Sequence, residues 1–133
     1  MDKLDAWSPR VRSILRIISA LLFTEHGLMK LFHFPAAQPG ASDPLPTVLL
    51  VAAVIEVAGG GLVALGLFTR IAALVCSGEM AAAYFMAHAP QGFWPALNGG
   101  DAAILFCFVF LYFAFAGPGD WSIDAARRTR APT

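Results

Sequence analysis

The sequence predicts an all-α protein built as a four-helix transmembrane bundle, on three observations. Of 133 residues, 58% are hydrophobic and only 14% charged, against ~45–50% and ~25% in a typical soluble domain. A soluble domain of this length has too little interior to hide so much apolar surface. The apolar residues also fall into four stretches separated by Gly- and Pro-rich breaks, and each stretch approaches the ~20 residues that a spanning helix needs. Nine Lys and Arg balance nine Asp and Glu. That balance excludes the basic surplus of a nucleic-acid binder and the high net charge of a disordered chain. Two Cys are too few for a disulfide scaffold.

The first span is expected from about Val11 to Phe34, the second from Thr47 to Phe68, the third from Arg70 to Ala89 and the fourth from Asp101 to Ala116. Phe34-Pro35 through Leu45-Pro46 is a Pro- and Gly-rich loop, and Gly66 to Arg70 is a tight turn that makes the second and third spans an antiparallel hairpin. Ala89-Pro90-Gln91-Gly92 through Asn98-Gly99-Gly100 breaks the chain again, and Gly117-Pro118-Gly119 ends the fourth span. Residues 117–133 form a polar tail, and residues 1–133 read as one domain without repeats. The first span has the basic flank of a signal peptide, but Glu25, His26 and Lys30 interrupt its apolar run. It is therefore expected to stay as an anchor.

Basic residues in short loops face the cytoplasm. Lys3, Arg10 and Arg12 precede the first span, Arg70 lies in the hairpin turn, and Arg127, Arg128 and Arg130 follow the fourth. Four spans put all of these on one side, so both termini are expected in the cytoplasm. The loops at 36–46 and 90–100 contain no Lys or Arg. Trp7 and Trp94 fit interfacial anchors at opposite faces.

Charge at membrane depth costs ~2.5–3.5 kcal/mol per residue, yet Arg16, Glu25, His26, Lys30, Glu56, Glu79 and His88 lie in the spans, with Asp101 at a helix start. At ~1.5 Å of rise per residue, Glu56 and Glu79 fall near the middle of a ~30 Å core. Lys30, His88 and Asp101 fall near the outer boundary and Arg16 near the inner one. Glu79 and His88 are nine residues apart, which points them in opposite directions on an undistorted helix. Two readings remain open. In one, Arg16, Lys30 and the carboxylates pair to fix helix register. In the other, His26, Lys30, Glu56, His88 and Asp101 build a polar pocket open to the outer face, with Arg16, Glu25 and Glu79 as secondary candidates for ligand or proton contact.

Gly59, Gly60 and Gly61 read as a helix-packing face; no P-loop Lys-Ser/Thr follows them. His26 and His88 alone are a thin basis for a haem site, and paired Glu-x-x-His motifs for a di-metal centre are missing from the sequence. No metal is expected. Cys76 and Cys107 are placed at different depths, as free thiols. The aromatic run from Phe106 to Phe115 reads as lipid contact and packing, or as the wall of a flat apolar ligand.

Three segments carry a resemblance to a known family: Gly27-Leu28-Met29-Lys30-Leu31; Glu56-Val57-Ala58-Gly59-Gly60-Gly61-Leu62 continuing through Leu65-Gly66-Leu67-Phe68-Thr69-Arg70; and Asn98-Gly99-Gly100-Asp101 with Gly117-Pro118-Gly119-Asp120-Trp121-Ser122-Ile123-Asp124. From Arg16 to Asp124 the chain resembles the DoxX family of small bacterial membrane proteins, which often has Glu where this chain has Asp101. The resemblance implies a four-helix protein of the bacterial cytoplasmic membrane. It also implies a link to quinone-dependent sulfur or thiol redox chemistry, with a membrane or peripheral redox partner supplying electrons. The first expectation is thus a quinone-interacting subunit. The alternatives are a non-enzymatic scaffold that packs against another membrane protein or a second copy, and a proton or small-anion carrier using Glu56 and Glu79.

Overall fold

The computed structural model describes residues 2–130, and no strand occurs among them. Four long helices dominate: α1 (Asp2–Phe32), α2 (Thr47–Leu65), α3 (Thr69–Gln91) and α5 (Asp101–Ala116). Two short ones complete the chain, α4 (Pro95–Asn98) and α6 (Ile123–Arg130). α2 and α3 are each long and apolar enough to cross a membrane. α5 is shorter at 16 residues.

Each boundary has a local cause. α1 begins well before Val11 because Asp2 and Asp5 in its first turn complement the helix dipole. Its buried positions, Ser13, Arg16, Ala20, Phe23 and Gly27, recur every three or four residues and form one stripe. α2 stops at Leu65 because Gly66 turns left-handed at φ 69° and closes the helix with Gly66 N to Val63 O and Leu67 N to Leu62 O bonds. α5 ends where Gly117 takes φ 82°.

The long helices pack in cyclic order α1, α2, α3, α5. α1 and α2 approach closely where Gly27 meets Val57 and Glu56; a Cβ on Gly27 would lie 2.9 Å from Glu56 Cβ. The glycine run of α2 divides its work: Gly60 lies against Phe23 and Thr24 of α1, and Gly59 against Cys76 of α3. Gly61 faces open space, so the expected packing face rests on two glycines. Ala20, Phe23, Val63, Ala73, Cys76, Phe110 and Phe113 form the core, and Phe23 meets Phe110 edge-on at 4.7 Å between ring centroids.

Two departures from α geometry shape the interior. Residues Ile55–Gly59 of α2 and Tyr84–His88 of α3 form π-helical turns. A π turn spreads about 4.4 residues over one rotation, so five residues lag an α-helix by ~90°.

The thiols also sit differently from their expected depths. Ser77 Oγ lies 3.6 Å from Cys107 Sγ and donates to the Cys107 carbonyl at 2.8 Å, which puts Cys107 level with the neighbour of Cys76. The 16 residues of α5 span ~24 Å rather than ~30 Å, and the shorter helix removes most of the expected offset. Both cysteines are free thiols.

Candidate functional site

The Gly117–Asp124 segment folds back beneath one end of the helices, here called the tail end. The loops at 33–46 and 92–100 mark the opposite, loop end. Arg16 is fully buried near the tail end and donates from Nη2 to the Trp121 carbonyl at 2.6 Å. Its Nε and Nη1 have no partner, and it forms no ion pair with Glu56 or Glu79. A Cβ at Gly66 would collide with its guanidinium. Ser13 Oγ accepts from Trp121 N at 3.0 Å, and Arg12 donates to the Ala116 carbonyl at 2.7 Å. The Asp124 carboxylate accepts from Phe68 N, Thr69 N and Thr69 Oγ1 at 2.8–3.0 Å, and so caps α3 from the other end of the chain. Partial burial pushes the Asp124 carboxyl up, but the Thr69 and Phe68 bonds and nearby Arg128 outweigh it and hold it below its ordinary value.

A cavity of about 920 Å³ lies between the helices toward the loop end. Its apolar wall includes Phe23, Ile55, Met80 and Phe106, and its polar groups include His26, Lys30, Glu56, Glu79 and His88. Lys30 Nζ donates to both oxygens of Glu56 at 2.6 Å. This is the one ion pair among the described residues, with Glu56 only 2% exposed. Glu79 Oε2 is buried without a partner. His26 Nδ1 donates to the Leu22 carbonyl at 2.8 Å, and its ring meets Phe106 edge-on. His88 Nδ1 donates to the Asn98 carbonyl at 3.1 Å and stacks on Tyr84.

The structure thus brings His26, Lys30, Glu56, His88 and Glu79 to one cavity and leaves three other candidates outside it. Asp101 is exposed in the first turn of α5; Ala102 and Ala103 border the cavity in its place, and of the two only Ala103 is buried. Glu25 is half-buried on α1 away from the lining, and Arg16 belongs to the tail end. Glu79 and His88 share the cavity because the π turn at Tyr84–His88 removes the opposition expected of a regular helix.

Two residues escaped sequence reasoning. Asn98 donates to the Gly92 carbonyl at 2.8 Å and to Tyr84 Oη at 3.3 Å, and accepts from Gly100 N at 2.8 Å. It thereby shapes the loop whose carbonyl holds His88. Asp124 was visible only as part of the Gly117–Asp124 motif, with no sign of the helix it caps. Among the described residues, no group of three or more His, Cys, Asp or Glu is arranged to hold a metal.

The DoxX family model matches residues 11–89, which contribute most of the cavity lining. The chain belongs to the DoxX family. A Haemophilus influenzae relative, described as an uncharacterised protein, is 44% identical over 93% of this chain and 96% of its own length. An uncharacterised membrane protein of Mycobacterium tuberculosis is 26% identical over 96% of this chain and 88% of its own. No solved structure matches significantly. In this DoxX protein the family segments Gly27–Leu31 and Glu56–Leu62 meet at the Lys30–Glu56 pair and the Gly27 contact.

Proposed function

We propose that this DoxX family protein crosses the bacterial cytoplasmic membrane four times, with both termini in the cytoplasm, and binds a quinone-type lipid for a membrane redox system. The observation that carries this reading is the cavity. Its ~920 Å³ is within the 300–1,000 Å³ usual for small-molecule sites. It combines an apolar and aromatic wall with a few polar groups, which suits a ring bearing oxygens at its edge. Arg12, Arg70 and Arg127 all lie at the tail end, in keeping with a cytoplasmic face there.

The chain carries no redox cofactor motif, so a partner protein would supply electrons. The core formed by Ala20, Phe23, Val63, Phe110 and Phe113 lies between the cavity and Arg16. That seal favours a binding site over a carrier with a polar route through the membrane.

Gentle purification from native membranes, with mass spectrometry of co-purifying lipids and proteins, tests the reading. Retained quinone and a redox partner are expected. A preparation that neither retains quinone nor binds added short-chain quinone or hydroquinone would overturn it.

A further inference from the structure

The hydrogen bonds already made inside the cavity determine which redox form of a ring ligand it suits. A backbone carbonyl can only accept, so the Leu22 and Asn98 carbonyls place the imidazole proton on Nδ1 of His26 and of His88. In the neutral ring, Nε2 of each is then a bare acceptor. Glu79 engages no hydrogen-bond partner among the described residues, and in its ionised form a carboxylate only accepts. Lys30 has three N–H groups, and the two Glu56 oxygens engage two of them. Gln38, from the 33–46 loop, brings an amide that donates and accepts alike, and so favours neither form.

The unspent groups are therefore three acceptors, His26 Nε2, His88 Nε2 and Glu79, against a single donor on Lys30. A quinone presents two carbonyls and needs two donors. A hydroquinone presents two hydroxyls and needs two acceptors. We infer that the cavity selects the reduced, dihydroxy form of its ring ligand, with His26, His88 and Glu79 as the specificity-determining acceptors. This rests on the quinone-type reading above and goes beyond it by fixing the redox form and the roles of the three residues. The Lys30–Glu56 pair then acts as a positioning element, because its mutual bonds keep the ammonium from serving as a general donor.

The test uses the full-length protein in quinone-free lipid nanodiscs, titrated anaerobically with a short-chain benzohydroquinone and separately with its benzoquinone. The hydroquinone is expected to bind at least ten-fold more tightly. Glu79→Gln replaces an acceptor with a group that also donates, so it should narrow the ratio at least three-fold, mainly by weakening the hydroquinone. The wild-type ratio stands as a test even if the variant fails to fold. Equal or tighter binding of the benzoquinone by the wild-type protein overturns this inference and leaves the quinone-type site intact. Binding of neither form overturns both.

Discussion

Lys30 and Glu56 illustrate how much one pair of residues can constrain. Both are nearly removed from solvent, and each neutralises the other at 2.6 Å. Removing one partner of a buried pair leaves an uncompensated charge and costs ~3–5 kcal/mol, whereas replacing both by apolar groups of similar size can be neutral or better. Lys30→Met should therefore lower stability by about 3 kcal/mol or more, and the double variant Lys30→Met/Glu56→Leu should recover most of the loss. Thermal unfolding in one detergent checks both; a double variant no better than the single one would contradict the pairing. The sequence announced that Lys30 needed a partner, because charges in an apolar run demand one, but several carboxylates could have met that demand and the choice of Glu56 came only with the fold. Arg16 raised the same demand, yet it found a backbone carbonyl 105 residues away, a partner that no side-chain pattern announces.

At the scale of elements, the π turn at Tyr84–His88 decides whether α3 contributes one polar group to the cavity or two. Helical periodicity at ~100° per residue separates Glu79 from His88 by half a turn, and the π turn takes back ~90° of it. Nothing in the local composition, Tyr84-Phe85-Met86-Ala87-His88, signals the distortion, and the Asn98 carbonyl that accepts from His88 comes from another segment. The turn holds roughly one residue more than an α-helix needs over the same rotation. Deleting Ala87, which is exposed, should thus be far better tolerated than deleting Ala81 from the regular part of α3. Comparing the yield of folded protein by size-exclusion chromatography distinguishes the two.

The other inter-element device is the Asp124 cap on α3. Loss of such a cap costs ~1 kcal/mol, so Asp124→Ala should lower the unfolding temperature modestly. Because the carboxyl sits below its ordinary value when folded, its contribution is present above the unfolded value and disappears as pH falls through the folded one. The difference between wild type and Asp124→Ala should shrink on acidification; a difference that grew would contradict the cap.

Across the whole molecule, the long helices, the hairpin and the breaks between them followed from composition and spacing, because apolar runs and Gly-Pro punctuation are local properties. The helix lengths did not follow as well: α1 extends to Asp2, and the tail re-forms a helix at Ile123–Arg130. Charge is the second property of the whole. Lys3, Arg10, Arg12, Arg70, Arg127, Arg128 and Arg130 are expected on one side, so a reporter fused to either terminus should read as cytoplasmic. Placing a single accessible cysteine at Ser42 or at Thr129, in a background lacking Cys76 and Cys107, gives a complementary test. An impermeant thiol reagent applied to intact cells should label the first and spare the second.

The clasp at the tail end also bears on the order in which the molecule can be completed during synthesis. Ser13 and Arg16 lie in α1, and the Trp121 groups that satisfy them are translated 108 and 105 residues later. Until the ribosome has passed Asp124, the first helix holds a guanidinium in apolar surroundings without its backbone acceptor, and α3 lacks its cap. A chain stalled or cleaved before Gly117 is thus left with α1 chemically unfinished, which ties completion of that helix to synthesis of the Gly117–Asp124 segment.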